Sequence, residues 1–343
     1  MSHWIATVTP GLEGALLAEV RARRPQARPG YRRPGLLTFS ESELSPEAPL
    51  LEGARGEAGP IFPQLWGHSL GIIKDDADLA AAVSATGLNK AQVFARPSGE
   101  DDEPPANTAR VSAVEARLRA ACHDVVQVPG ARRGEPTLGV IVAPDEPTLL
   151  VRLVRGGAWG PLPGGRWPHT TPEDSPSRAW AKLDEALAWS RLPMRAGQRA
   201  LELGNAPAGV SLNLLRRGLS VLGVDSQPMA PALQPYIDSG ALTQLSRPMS
   251  QLRWEELTGH FDWLLMDVSI APALALRGLR RLMPPLRKQL SGALLTLKLN
   301  DEAVIASVPK LLEQAGALGL GPARARHLPA NRRELTVALG SAG

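Results

Sequence analysis

ALELGNAPAGVSLNLL, residues 200–215, decides how this chain is read. A short apolar run, ALEL (200–203), stops at a turn holding Gly204 and Gly209, and an apolar-periodic helix follows over 209–217. A second apolar run, SVLGV (220–224), ends on Asp225, roughly 20 residues past the glycine turn. Strand, glycine turn, helix and strand make up a βαβ unit. The same alternation extends in both directions. A helix is predicted over 178–191, then helix 229–239, strands 241–245 and 262–266, helix 273–290, strand 293–299, helix 302–316 and a last strand 334–339. Short apolar strands without alternation need both faces covered. Right-handed crossovers then give a doubly wound, Rossmann-like α/β domain over 178–343.

Upstream the pattern is different. Residues 1–55 open with a strand-like run (3–9) and a helix (12–23). Residues 56–155 carry strand-like GHSLGIIK, TLGVIVA and TLLVRLV around helices at 78–86 and 111–122. Both pieces read as α+β. SGEDDEPPANT (98–108) reads as a surface loop, and the Gly/Pro-rich stretch 156–177 reads as the connector between domains.

Composition narrows the class. The chain has 343 residues, 43% hydrophobic and 21% charged, the balance of an ordinary globular protein. It has no apolar run of membrane-spanning length, no signal-peptide pattern at MSHWIATVTPGLEG, and one cysteine, Cys122. The expectation is a cytoplasmic protein without disulfide or membrane. The six histidines show no paired metal spacing, so no metal is expected. Net charge is only +4, but RARRPQARPGYRR (21–33) gathers six arginines around Tyr31. Such a cluster suits a polyanion such as RNA. It is equally what a solvated helix end and loop of an arginine-biased chain look like.

Four ionisable residues fall where ligands bind in open sheets. Asp267 ends the strand DWLLM, Lys298 lies near the end of ALLTLKL, and Glu334 starts the last strand. If that strand runs antiparallel, Glu334 sits at the same rim, and Lys182 on the leading helix can reach it. Only six of the 38 basic residues are lysine, so each marks a place where arginine was not used. The fingerprint G-x-G-x-x-G is absent, since GNAPAG keeps only its first and last glycines. That disfavours a pyrophosphate cofactor and a dehydrogenase, and leaves S-adenosylmethionine, which carries no phosphate.

PSRAWAKLDEAL (176–187) resembles the opening of the FtsJ-like ribose 2′-O-methyltransferases, with their S-R-x-x-x-K-L-x-E pattern. ELGNAPAG is similar to their cofactor turn. Lys182, Asp267, Lys298 and Glu334 fall on that family's Lys-Asp-Lys-Glu tetrad. The connector PLPGGRWPHTTPEDSPSR, TLKLN and RRELTV resemble the type that methylates a cytidine ribose in large-subunit ribosomal RNA. The resemblance implies a methyltransferase domain over 178–343, a ferredoxin-like piece at 1–55 and a THUMP-like RNA-binding domain at 56–155. It implies S-adenosylmethionine held by Ser177, Glu202, Gly204, Asn205, Ala206, Pro207, Ala208, Gly209, Asp225 and Asp267. The substrate would be 23S ribosomal RNA or a large-subunit precursor.

Two positions depart from the family. Its Pro-Gly-Gly becomes Pro207-Ala208-Gly209, and the acid expected after the third strand is replaced around Arg247-Pro248-Met249. A methyl on Ala208 is expected to crowd the cofactor's approach. For the chemistry, Lys298 is expected to orient and deprotonate the 2′-hydroxyl, because arginine does not give up its proton. Lys182 is expected to depress the pKa of Lys298, with Asp267 and Glu334 holding both ammonium groups. Arg324, Arg326, His327, Arg332 and Arg333 are expected to form a basic lip for the RNA backbone. A base N-methyltransferase is disfavoured because Asp267 is followed by Val268, Ser269 and Ile270, not a Pro-Pro-aromatic loop. The alternative of another class is a catalytically weak or inactive RNA-binding protein.

Overall fold

The computed structural model describes residues 2–42, 44–45, 50–51, 59–98, 105–122, 126–127, 135–153, 163–167 and 170–341. The chain divides into two compact units, Met1–Pro168 and His169–Gly343.

The first unit holds β1 (Ser2–Thr7), α1 (Glu13–Arg23), β2 (Arg28–Arg33), β3 (Leu36–Glu41) and β4 (Leu65–Ile73). It continues with α2 (Leu79–Ala85), β5 (Lys90–Ala95), α3 (Pro105–Ala121), β6 (Val126–Gln127), β7 (Thr137–Val142) and β8 (Thr148–Leu153). All eight strands form one sheet, ordered β2-β3-β1-β4-β8-β7-β5-β6. β1 pairs antiparallel with both β3 and β4, so Ile5 faces Thr38 on one side and Gly67 on the other. The break expected at 55/56 therefore falls within a single sheet. A buried central strand such as β1 needs a partner along each edge, and those partners come from the two sides of that position. On one face, α2 and α3 bury Leu79, Val83, Val114 and Leu118 against Val93, Leu138 and Val140. Trp4 and Phe39 stack with ring centroids 4.2 Å apart.

Several local expectations change here. β2, read as part of a basic loop, is an edge strand, where proline's missing N–H does no harm. β3 and β5 form where no strand was expected. α3 begins at Pro105, a residue well suited to the first turn of a helix, so the end of the expected loop 98–108 is helical. Residues 99–104 of that loop and 156–162 and 168–169 of the connector lie outside the described residues. Within the arginine cluster, Arg24 binds Glu41 through two hydrogen bonds of 2.9 and 2.8 Å, and Arg23 pairs with Glu19. Arg21, Arg28, Arg32 and Arg33 stay exposed.

The second unit begins with α4 (Ala179–Ser190), β9 (Arg199–Leu203), α5 (Gly209–Arg216), β10 (Ser220–Asp225), α6 (Gln234–Asp238) and β11 (Leu242–Ser246). It ends with β12 (Trp263–Asp267), α7 (Pro272–Leu286), β13 (Gly292–Lys298), α8 (Glu302–Ala306), α9 (Val308–Gly316), β14 (Arg324–Arg326) and β15 (Glu334–Gly340). The sheet order is β11-β10-β9-β12-β13-β15-β14. β9 to β13 pair in parallel, and β15 runs antiparallel to β13. The chain winds outward from β9 to β11, then crosses back to β12 beside β9. That reversal opens a crevice at the carboxyl ends of β9 and β12.

Two helices differ from the sequence expectation, both through proline. α7 stops at Leu286, a few residues early, because Pro284 and Pro285 cannot donate into its last turn. The Arg281 carbonyl that Pro285 leaves free accepts a hydrogen bond of 2.9 Å from Trp254 Nε1. The helix expected over 302–316 breaks at Ser307, with Pro309 in the first turn of α9. The stretch expected to form a basic lip contributes β14, whose Arg326 pairs with Thr336 of β15.

Candidate active site

Each member of the predicted tetrad is placed by a different element. Asp267 ends β12 and Lys298 ends β13. The antiparallel register sets Lys298 opposite Glu334, the first residue of β15. Lys182 extends from α4 and closes the group. Lys182 Nζ lies 3.3 Å from Asp267 Oδ2 and 2.5 Å from Glu334 Oε2. Lys298 Nζ lies 2.7 Å from Asp267 Oδ1 and 2.6 Å from Glu334 Oε1. Two ammonium groups and two carboxylates thus alternate in a closed ring, with side chains 14–21% exposed. Alternation compensates every charge, which a partly buried quartet requires.

The ring's electrostatics depart from one expectation. Burial, the largest single influence, pulls Lys298 down, but Asp267 and Glu334 together hold it above the usual lysine value. Burial likewise pulls Glu334 up, yet Lys182 and Lys298 leave it below the usual glutamate value. Lys298 is thus an ammonium in the free protein. The expected depression by Lys182 does not occur, because each lysine meets two carboxylates.

A cavity of about 1070 Å³ opens beside the ring, lined by Gly204, Ala206, Pro207, Asp225, Met249 and Asp267 among others. Gly204 has φ +81°, and a Cβ there would strike the Asp267 carbonyl, so β9 and β12 meet this closely only with glycine. Asp225 accepts from Ala206 N (3.1 Å) and Gln227 N (2.9 Å), which fixes its carboxylate at the cavity wall. No acid follows β11. Pro248 and Met249 line that end instead, and Arg281 holds their loop by donating to the Met249 and Leu252 carbonyls.

Of the other positions expected at the cofactor, Ser177, Glu202, Asn205, Ala208 and Gly209 do not line this cavity. Ser177 Oγ accepts from Ala179 N at 3.3 Å and packs where a Cβ on Gly209 would fall. Asn205 is 2% exposed, its amide seated against Gly223. Ala208 caps α5 in left-handed backbone with φ 86°, and its methyl is wholly buried rather than crowding the cavity. Glu202 turns into a separate small cavity of about 30 Å³ that it shares with Lys182 and Asp267. There Ser211 Oγ donates to Glu202 Oε2 at 2.5 Å, and burial pushes the Glu202 carboxyl up to about 8.

The expected basic lip is only partly exposed. Arg326, the last residue of β14, and His327 just after it lie inside, at 3% and 0% exposure, and burial pushes His327 down to about 4. Arg324 donates to the Ser190 carbonyl at 2.8 Å and lies over Trp189, leaving Arg332 and Arg333 at the surface. Glu185 and Ser211 have no role predictable from the sequence, although Glu185 closes the motif that contains Lys182.

The sheet order and the glycine turn define a Rossmann-like α/β domain, with the charged ring at the carboxyl ends of its strands. Residues 176–316 match the FtsJ-like methyltransferase family. The chain is 34% identical over 190 residues to a ribosomal RNA large subunit methyltransferase M of Halorhodospira halophila, covering 52% of each chain. It is 28% identical over 225 residues to the protein of that name from Aromatoleum aromaticum, covering 60% of this chain and 56% of that one. The corresponding protein of Pectobacterium atrosepticum is 29% identical over 176 residues, with 48% and 46% covered. The chain spans about half the length of the curated relatives it matches.

Proposed function

We propose that this protein transfers a methyl group from S-adenosylmethionine to a ribose 2′-hydroxyl, that of a cytidine, in large-subunit ribosomal RNA. The observation that carries the reading is the closed Lys182–Asp267–Lys298–Glu334 ring at the edge of a cavity that shares Asp267 with it. The cavity suits the donor. Asp225 keeps lone pairs for ribose hydroxyls, Gly204, Ala206 and Pro207 shape a close backbone wall, and Pro248 and Met249 give an apolar seat for a base. When bound, S-adenosylmethionine supplies an electrophilic sulfonium methyl. The exposed Arg21, Arg28, Arg32 and Arg33, in the piece that the sequence likens to a ferredoxin-like region ahead of a THUMP-like one, would hold RNA phosphates.

The protein's own part is positioning and proton removal. Lys182 and Lys298 point donors at the 2′-oxygen, and the two carboxylates fix both amines. Lys298, once neutral, accepts the hydroxyl proton and releases it to water. Since the carboxylates hold Lys298 protonated in the free protein, the base form grows with pH. kcat/KM is therefore expected to climb by up to about tenfold per pH unit through the neutral and mildly alkaline range. Initial rates between pH 6.5 and 9.5 check this, and a flat profile removes Lys298 as the base. Mapping 2′-O-methyl groups in ribosomal RNA from cells with and without the protein tests the function. The expected result is loss of one methylated ribose in the large-subunit RNA, and an unchanged map contradicts it.

A further inference from the structure

Glu334 must reach between two lysines from the first residue of a strand, so its placement depends on the irregular segment 327–333 before it. Three buried groups frame that segment. His327 Nε2 lies 3.0 Å from the Arg332 carbonyl, and Leu299 N donates to the Arg333 carbonyl at 2.7 Å. Asn331 Nδ2 donates to Thr336 Oγ1 at 3.0 Å, which ties the turn to β15. A fourth anchor reaches in from the helix that carries Lys182. Glu185, 1% exposed on α4, accepts a hydrogen bond of 2.6 Å from the Ala330 backbone N–H through Oε2.

Glu185 stands three residues after Lys182, which places both side chains on one face of α4. The same helical turn therefore sends an ammonium group to Glu334 and a carboxyl group to the backbone four residues before it. We infer that Glu185 is a positioning residue, whose hydrogen bond to Ala330 fixes the turn that delivers Glu334 between Lys182 and Lys298. It does not line the donor cavity. Its effect passes through the backbone. Without it, the turn is held by its own residues, by β15 and by Leu299 at the end of β13, and the ring's geometry is free to drift relative to α4. Displacements of about 1 Å at a catalytic group cost rate on the order of 100-fold.

This inference rests on the tetrad reading, and the experiment keeps the two apart. Full-length Glu185→Gln, Glu185→Asp and Glu185→Ala are compared with the wild type in methyl transfer to ribosomal RNA, in titration with S-adenosylmethionine, and in backbone hydrogen exchange. A glutamine oxygen still accepts from Ala330 N, whereas an aspartate is one methylene too short, and alanine has no acceptor. Glu185→Gln is expected to keep kcat within about threefold of wild type, with Asp and Ala losing about 10- to 100-fold. Donor affinity should stay within about twofold in all three, because Glu185 does not line the donor cavity. Hydrogen exchange over residues 328–334 should accelerate in the Asp and Ala variants alone. Aspartate matching wild type while glutamine fails would overturn the inference, as would exchange at 328–334 that is the same in all four proteins. A wild type with no transfer to RNA sinks the functional reading instead, and the exchange pattern still decides the role of Glu185.

Discussion

Lys298→Arg is expected to cut methyl transfer to RNA by about 10²- to 10⁴-fold, the range associated with losing a positioned base. The substitution keeps the positive charge, and a guanidinium can still pair with both Asp267 and Glu334. What it loses is the ability to shed a proton, since arginine remains protonated at any working pH. The planar fork also occupies more of the ring than an ammonium held 2.7 and 2.6 Å from its two carboxylates. Lys298 does not line the donor cavity, so affinity for S-adenosylmethionine should stay within a few fold of wild type. Single-turnover transfer separates the two quantities. Near-normal transfer by the arginine variant would show that the amine only orients the hydroxyl.

The second large effect concerns Glu202, buried at 3% exposure beneath the ring. Burial pushes its carboxyl up to about 8 in the fold, with the Ser211 hydrogen bond pulling the other way and Asp267 and Asp225 adding smaller pushes upward. The unfolded value is that of an ordinary glutamate, near 4.5. Between those values the folded chain keeps a proton that the unfolded chain has released. The stability this group contributes is therefore complete below the unfolded value and is lost as pH rises towards 8. Glu202→Gln keeps the acceptor for Ser211 and has nothing to titrate. Its stability relative to wild type is expected to increase by roughly 3 kcal/mol between pH 5 and pH 8. Whatever the amide costs in packing is constant with pH and drops out of that difference. Denaturant unfolding of the full chain at several pH values measures it. A pH-independent difference would mean that Glu202 is ionised in the fold. A neutral Glu202 matters to the site, because a third carboxylate beside Lys182 would upset the balance of two cations and two anions.

The second unit was largely legible from its sequence because its strands are buried on both faces and so read as plain apolar runs. The glycine turn and Asp225 mark the cavity, and strand ends and a helix motif point to Lys182, Asp267, Lys298 and Glu334. What escaped is what depends on partners distant in sequence. β2 looked like a loop until an edge position made its proline harmless, and Arg326 and His327 looked solvated until β14 paired against β15 and buried both. The direction of the Lys298 shift was misjudged for a similar reason. The sequence shows that two lysines converge but not that each would contact both acids. Glu185 was visible only as the last letter of a motif, since its partner at Ala330 lies 145 positions away.

The most direct test uses the chemistry of the proposed product. A 2′-O-methyl group leaves no hydroxyl to attack the adjacent phosphate, so alkali cannot cut the chain there. Large-subunit ribosomal RNA lacking the modification is incubated with the full-length protein and S-adenosylmethionine labelled on its methyl group, then hydrolysed in alkali. The account predicts label in an alkali-resistant dinucleotide that yields 2′-O-methylcytidine on further digestion. Label released in ordinary mononucleotides, carried on the base, or absent altogether would contradict it.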